Sequence, residues 1–147
     1  LPTADCDMVK DGRITGWLLD TASAKQLGLE PTGHASRGGG SSGVTASNVH
    51  LEAGSISREA MIAEIKEGVI VTELIGQGVN PVTGDYSRGA SGLLIKDGEI
   101  AGPIAEFTIA GNLLSMFAAM IPANDLKFRQ ATNAPSVRID GMTIASS

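Results

Sequence analysis

One cysteine, one tryptophan, one tyrosine and three phenylalanines are all that 147 residues hold of thiol and aromatic side chains. A lone Cys6 cannot close an internal disulfide, which fits a reducing compartment and makes the cytoplasm the expected location. With aromatics this scarce, the core is expected to be aliphatic. No run of Lys or Arg occurs and the formal net charge is −5. A direct nucleic-acid partner is therefore not expected, because such binders carry a basic stripe that neutralises phosphates. No apolar stretch reaches the roughly 20 residues of a membrane-spanning helix. The longest, Leu113 to Ile121, is too short, so no membrane partner is expected either. No secretory signal opens the chain. It begins at Leu1 rather than a methionine and is read as the later part of a longer polypeptide. Such a cut is expected to uncover strand edges or apolar patches and to favour self-association.

What is present describes a globular domain: 42% hydrophobic residues, 18% charged, and 19 glycines. Asp11-Gly12, Asp97-Gly98 and Asp140-Gly141 each sit between short β-prone runs. Two-residue Asp-Gly loops suit the type I′ turn, which needs positive φ at both positions, so three antiparallel hairpins are expected. In the second, Lys96 and Glu99 face each other across the turn. Val69 to Ile75 reads as a strand buried on both faces, and Val44 to Leu51 as a weaker strand. Helices are expected from a Ser57 cap to Glu67, from an Asn112 cap to Ile121 before Pro122, and from Thr21 to Leu27 before Gly28. Gly33 to Gly43 reads as a mobile loop by composition. The sum is an α+β domain, mostly antiparallel sheet of barrel or sandwich type, with two or three short helices.

Candidate chemistry is sparse. Zinc needs three or four His, Cys or acidic ligands gathered in space. His34, His50 and Cys6 are isolated in the sequence, so no metal ligands and no cofactor are expected in this chain. Gly89-Ala90-Ser91-Gly92-Leu93 breaks the Gly-x-Ser-x-Gly pattern of a hydrolase elbow, and no helix follows it. Gly38-Gly39-Gly40 lacks the Lys-Ser/Thr of a phosphate cradle. No catalytic residue is assigned. The densest unusual stretch runs from Gln77 to Gly92, with Asp85, Tyr86, Ser87 and Arg88 at its centre. Asp85 and Arg88 either pair and pin a turn or present polar groups to a ligand.

Gly16-Trp17-Leu18-Leu19-Asp20-Thr21-Ala22-Ser23-Ala24, Thr32-Gly33-His34-Ala35, the string from Glu73 to Ala90, Thr108-Ile109-Ala110-Gly111-Asn112-Leu113 and the closing Asn133 to Ala145 together resemble the C-terminal part of TldD/PmbA proteins. The resemblance covers essentially the whole chain, in order. It implies that residues 1–147 are a β-rich C-terminal domain whose N-terminal domain is absent here. It also implies a cytoplasmic metalloprotease complex acting on peptides and unfolded chains, in a family with an old label as modulator of DNA gyrase. TldD-type subunits carry an HExxxH pair upstream and a cysteine ligand near the C-terminus; PmbA-type (TldE) subunits lack both and pair with TldD. No cysteine follows Cys6, and the corresponding stretch reads Pro122-Ala123-Asn124-Asp125-Leu126-Lys127. The resemblance therefore favours the PmbA branch, with zinc held only by a TldD-like partner. Peptide substrates and that partner are the expected ligands, and Asp85, Tyr86, Ser87, Arg88 and His34 the expected contacts. The alternatives are a metallopeptidase whose zinc ligands lie upstream, or a purely structural dimerisation module.

Overall fold

The computed structural model describes residues 5–37 and 42–146. In chain order the first elements are β1 (Val9–Lys10), β2 (Arg13–Ile14), α1 (Thr21–Leu27), β3 (Ala35–Arg37), β4 (Ser42–Val44) and β5 (Val49–His50). There follow α2 (Arg58–Ala63), β6 (Glu67–Ile75), β7 (Asp85–Lys96), β8 (Glu99–Asn112), α3 (Leu113–Ala118), β9 (Met120–Pro122), β10 (Thr132–Asn133), β11 (Val137–Ile139) and β12 (Thr143–Ser146). The chain divides into two compact units, one of Leu1–Val49 with Arg129–Thr132, the other of His50–Phe128 with Asn133–Ser147.

In the first unit β1 and β2 form a hairpin whose turn residues take φ 50° at Asp11 and 73° at Gly12, the positive pair that a type I′ turn requires. Helix α1 has the expected bounds. The Asp20 carboxylate accepts from the Ser23 N–H at 2.7 Å, and Gly28 closes the helix in the left-handed conformation. Part of the stretch expected to be a mobile loop is ordered instead, since β3 and β4 pair antiparallel from Ala35↔Val44 to Arg37↔Ser42. Its triple glycine, Gly38-Gly39-Gly40, lies outside the described residues. The strand expected from Val44 to Leu51 is broken by bends at Ser47 and Asn48.

The second unit is built on an open antiparallel sheet of order β12-β8-β7-β6. The α+β, mainly antiparallel architecture is as expected, but this sheet does not close into a barrel. Asp97 (φ 48°) and Gly98 (φ 81°) make the β7–β8 turn, and Lys96 faces Glu99 as expected. The turn docks on the end of α2: the Asp97 N–H donates to Lys66 O at 2.7 Å and the Gly98 N–H to Ile65 O at 2.8 Å. That docking, together with the pairing of Glu67 and Gly68 with Lys96 and Ile95, ends α2 at Ala63 rather than Glu67. Ser57 caps α2 as expected, accepting from Ala60 N–H at 3.1 Å.

Three further expectations are corrected. Asp140-Gly141 is not a hairpin turn. Gly141 alone has positive φ (81°), and the flanking strands join different partners, β11 with β9 and β12 with β8. Helix α3 stops at Ala118 because Met120–Pro122 pair with β11. Strand β6 is not buried on both faces. It is the sheet's outer strand, and Val71, Leu74 and Ile75 are exposed. The core cluster lies on β7 and β8, where buried Ala90, Phe107 and Ile109 are packed by Val69, Tyr86, Ile104 and Met142.

Candidate functional site

The stretch from Gln77 to Gly92 is a built hairpin rather than an open loop. The Ser87 N–H donates to Gly78 O at 2.7 Å and the Asn80 N–H to Asp85 O at 2.8 Å, so residues 78–80 lie antiparallel to residues 85–87. Asn80, ahead of Pro81, organises the turn. Its side-chain oxygen accepts from the Val82 N–H at 2.9 Å and the Thr83 N–H at 3.2 Å, and its carbonyl accepts from the Gly84 N–H at 2.9 Å. This is the Asx geometry that asparagine offers to a turn. Asn112 then binds the hairpin to α3. Its amide nitrogen donates to Thr83 O at 3.0 Å, its amide oxygen caps α3 by accepting from the Leu114 N–H at 3.1 Å, and the Leu113 N–H donates to Gly84 O at 2.7 Å. Sequence reasoning identified Asn112 only as a cap. Its second role depends on the register Asp85↔Asn112, a pairing across the β7–β8 hairpin that no local signal carries. Asn80-Pro81 was legible as a turn signal.

Residues 85–88 open strand β7 rather than lying in a loop. Asp85 and Arg88 are three apart in that strand, so their side chains leave opposite faces, and among the described residues no ion pair joins them. Asp85 is exposed and accepts from the Thr83 hydroxyl at 2.7 Å. Ser87 shares its face and is also exposed. Tyr86 and Arg88 share the face of Ala90. Tyr86 packs against the core cluster, and Arg88 is half-buried with its Nε enclosed and without a hydrogen-bond partner among the described residues. An arginine so placed is a partly desolvated cation with an unused donor.

His34 lies in the first unit. Its Nδ1 is 3.1 Å from the Thr32 hydroxyl oxygen, which accepts from Leu19 N–H at 2.8 Å and directs its own proton to Leu19 O at 3.1 Å. With that proton committed, Nδ1–H is the donor in this contact. His50, in the second unit, meets Phe128 edge-on at 5.1 Å between ring centroids, and Cys6 is an exposed free thiol. Among the described residues no three His, Cys, Asp or Glu side chains gather as metal ligands. The donor set therefore does not fit a zinc centre within either unit.

The stretch that follows Pro122, where the resemblance places a TldD-type cysteine ligand, has a different occupation. Asp125 accepts from the Ser136 hydroxyl and from the Ser136 N–H, both at 2.7 Å. The hydroxyl bond first and the N–H bond second hold its carboxyl below the ordinary value of 3.8, against a smaller opposing effect of burial. A carboxyl depressed in the folded state adds stability above its unfolded value, and that contribution is lost as pH falls through the folded value. Ser136→Ala is accordingly expected to lower the melting temperature near neutral pH, with a deficit that shrinks as the pH falls below the ordinary carboxyl value of 3.8. Melts across this range check it; a deficit constant with pH would rule the clamp out as its source.

Among the described residues no helix is long and apolar enough to cross a membrane. The chain matches the family model of the PmbA/TldA metallopeptidase C-terminal domain over residues 1–146. It is 44% identical over 140 residues to metalloprotease PmbA of Escherichia coli O157:H7, covering 95% of this chain and 29% of that protein. It is 40% identical over 144 residues to a PmbA homologue of Haemophilus influenzae, covering 97% of this chain and 30% of the relative. The crystal structure of TldE from Thermococcus kodakarensis superposes with a TM-score of 0.87 at 29% identity, over 99% of this chain and 35% of that one. The chain thus spans just under a third of the curated relatives it matches.

Proposed function

The chain belongs to the PmbA/TldA metallopeptidase C-terminal domain family, and on that premise we propose that it is the PmbA-type, non-metal-holding portion of a two-subunit cytoplasmic metalloprotease that degrades peptides and unfolded chains. A TldD-like subunit holds the zinc, and this chain supplies part of the wall against which the peptide or that partner rests. In the second unit the proposed contacts are Asp85, Tyr86, Ser87 and Arg88 at the start of β7; in the first unit, taken by itself, the proposed contact is His34. The observation that carries this reading is Arg88. An arginine on the core-side face of a sheet, with no anion among the described residues, is poorly accounted for by stability alone, since a buried donor left unpaired costs about 1–3 kcal/mol. Donation to a peptide carbonyl or carboxylate gives that charge a use. On the opposite face the Asp85 carboxylate can accept from a peptide amide or an amine.

Arg88→Gln and Asp85→Asn, made in the full-length protein and paired with the TldD-like subunit, are expected to reduce peptide degradation at least severalfold. Melting temperature is expected not to fall appreciably: Asp85 is exposed, where substitutions stay within about 0.5 kcal/mol, and Arg88→Gln breaks no hydrogen bond of the enclosed Nε. Variants that melt several degrees lower while the folded fraction keeps full activity would overturn the reading and leave residues 85–88 as turn anchors.

A further inference from the structure

The three Asp-Gly pairs share one intrinsic chemistry but sit in three different settings. We propose that Asp11-Gly12 is a site of spontaneous isoaspartate formation, and that the fold shields Asp97-Gly98 and Asp140-Gly141 from the same reaction. The reaction is internal. The glycine amide nitrogen attacks the aspartate Cγ, a C–N bond forms, and the carboxyl loses its hydroxyl as water to leave a five-membered succinimide. Water then re-enters, and opening at the backbone carbonyl leaves the chain running through the former side chain. The water lost in the first step is regained in the second, so no other reactant is needed. Glycine permits the reaction because it has no side chain to hinder the attacking nitrogen. Three conditions set the rate: a carboxyl side chain free to turn onto the amide nitrogen, an amide N–H that is not engaged elsewhere, and a backbone able to leave the turn conformation.

At Asp97-Gly98 two of these conditions fail. The Gly98 N–H is bound to Ile65 O at 2.8 Å and the Asp97 N–H to Lys66 O at 2.7 Å. The turn also joins strands of 12 and 14 residues, so opening it breaks a long ladder. At Asp140-Gly141 the carboxyl is the group restrained. Asp140 Oδ1 accepts from Arg138 Nε at 2.9 Å, and Arg138 is itself anchored to Glu64 at 2.9 Å. A carboxylate oxygen bonded to an anchored guanidinium is restrained from turning onto the Gly141 nitrogen. Asp11-Gly12 meets all three conditions. Among the described residues nothing bonds the Asp11 carboxylate or the Gly12 N–H. The turn joins strands of two residues each, and all of Val9, Lys10, Arg13 and Ile14 are exposed, so little burial opposes its opening. The product adds one backbone methylene between Lys10 and Arg13, which the Lys10↔Arg13 register cannot accommodate.

The test is to age the full chain at mildly acidic pH and physiological temperature, digest it, and resolve the aspartyl and isoaspartyl peptides by chromatography and electron-transfer mass spectrometry. In the folded chain isoaspartate at position 11 is expected to accumulate at least about fivefold faster than at position 97, the ratio expected of an opening equilibrium easier by about 1 kcal/mol, with position 140 between the two. In the urea-unfolded chain the three rates are expected to converge. Equal rates in the folded chain, position 97 or 140 ahead of 11, or the same ranking persisting in urea would each overturn the proposal.

Discussion

Phe107→Ala is expected to remove about 3–5 kcal/mol of unfolding free energy, the usual cost of truncating a fully buried phenylalanine. Phe107 and Ile95 are the largest fully buried side chains among the described residues, and Phe107 sits at 1% exposure in the cluster with Ala90 and Ile109. The rest of that cluster is aliphatic, methionine and one tyrosine, so no neighbour can refill the volume of a lost ring. Against a typical total of about 5–15 kcal/mol the loss is a large fraction. For a chain of this length it corresponds to a melting temperature lower by roughly 10–15 °C. Phe107→Leu, which keeps most of the volume, is expected to cost about 1.5 kcal/mol or less. Urea denaturation of both variants checks the pair. An alanine variant within about 1 kcal/mol of the parent would mean that the cluster is not the organising core of this unit.

How much of this was legible in the sequence follows from the range over which each signal acts. Helix starts are local events. Asp20, Ser57 and Asn112 each accept from a backbone N–H within three residues, and all three helices begin at or immediately after the positions those residues mark. Helix ends are local only when a cap residue decides them, as Gly28 does for α1. Where strand pairing competes, periodicity overshoots. Met120 and Ile121 fit the helical stripe of α3 but are taken by β11, and Glu67 and Gly68 are taken by β7. The same competition separates the three Asp-Gly pairs. Two become hairpin turns because their flanks pair with each other, whereas the flanks of the third find better partners elsewhere in the chain. In the candidate site, the residue types of Asp85 and Arg88 were legible. Their placement on opposite faces of a strand, and the binding of their hairpin by Asn112, depend on a register set across the β7–β8 hairpin. Order along the chain suffices for recognising the family but not for seeing which side chains meet.

That hairpin has one position where a single methyl group has a large consequence. The backbone of Gly78 lies so close to β7 that a Cβ built there would fall on the Ser87 carbonyl oxygen, and it would stand 3.4 Å from Arg88 Cγ. The close approach is what allows the Ser87 N–H to reach Gly78 O at 2.7 Å, and the next rung, from the Asn80 N–H to Asp85 O at 2.8 Å, follows from it. A carbonyl oxygen fixed within a strand cannot swing aside as a flexible side chain would. Gly78→Ala must therefore move one strand away from the other, lengthening both rungs. Overpacking of this kind typically costs about 1–3 kcal/mol, and the loss of two well-formed backbone bonds places Gly78→Ala at the upper end, about 2–3 kcal/mol. A fall in melting temperature of roughly 6–10 °C is expected. Hydrogen exchange offers the sharper measurement, because the Ser87 and Asn80 amides should lose protection while the Asp97 and Gly98 amides, at the far end of the same sheet, keep theirs. The distinction from Arg88→Gln matters for the proposed function. Gly78→Ala should lose stability and peptide degradation together, because it displaces the strand that carries Arg88, whereas Arg88→Gln should lose degradation alone. If Gly78→Ala melts like the parent and its Ser87 amide stays protected, residues 78–80 do not hold β7 in place, and the geometry assigned to Asp85 and Arg88 loses its support.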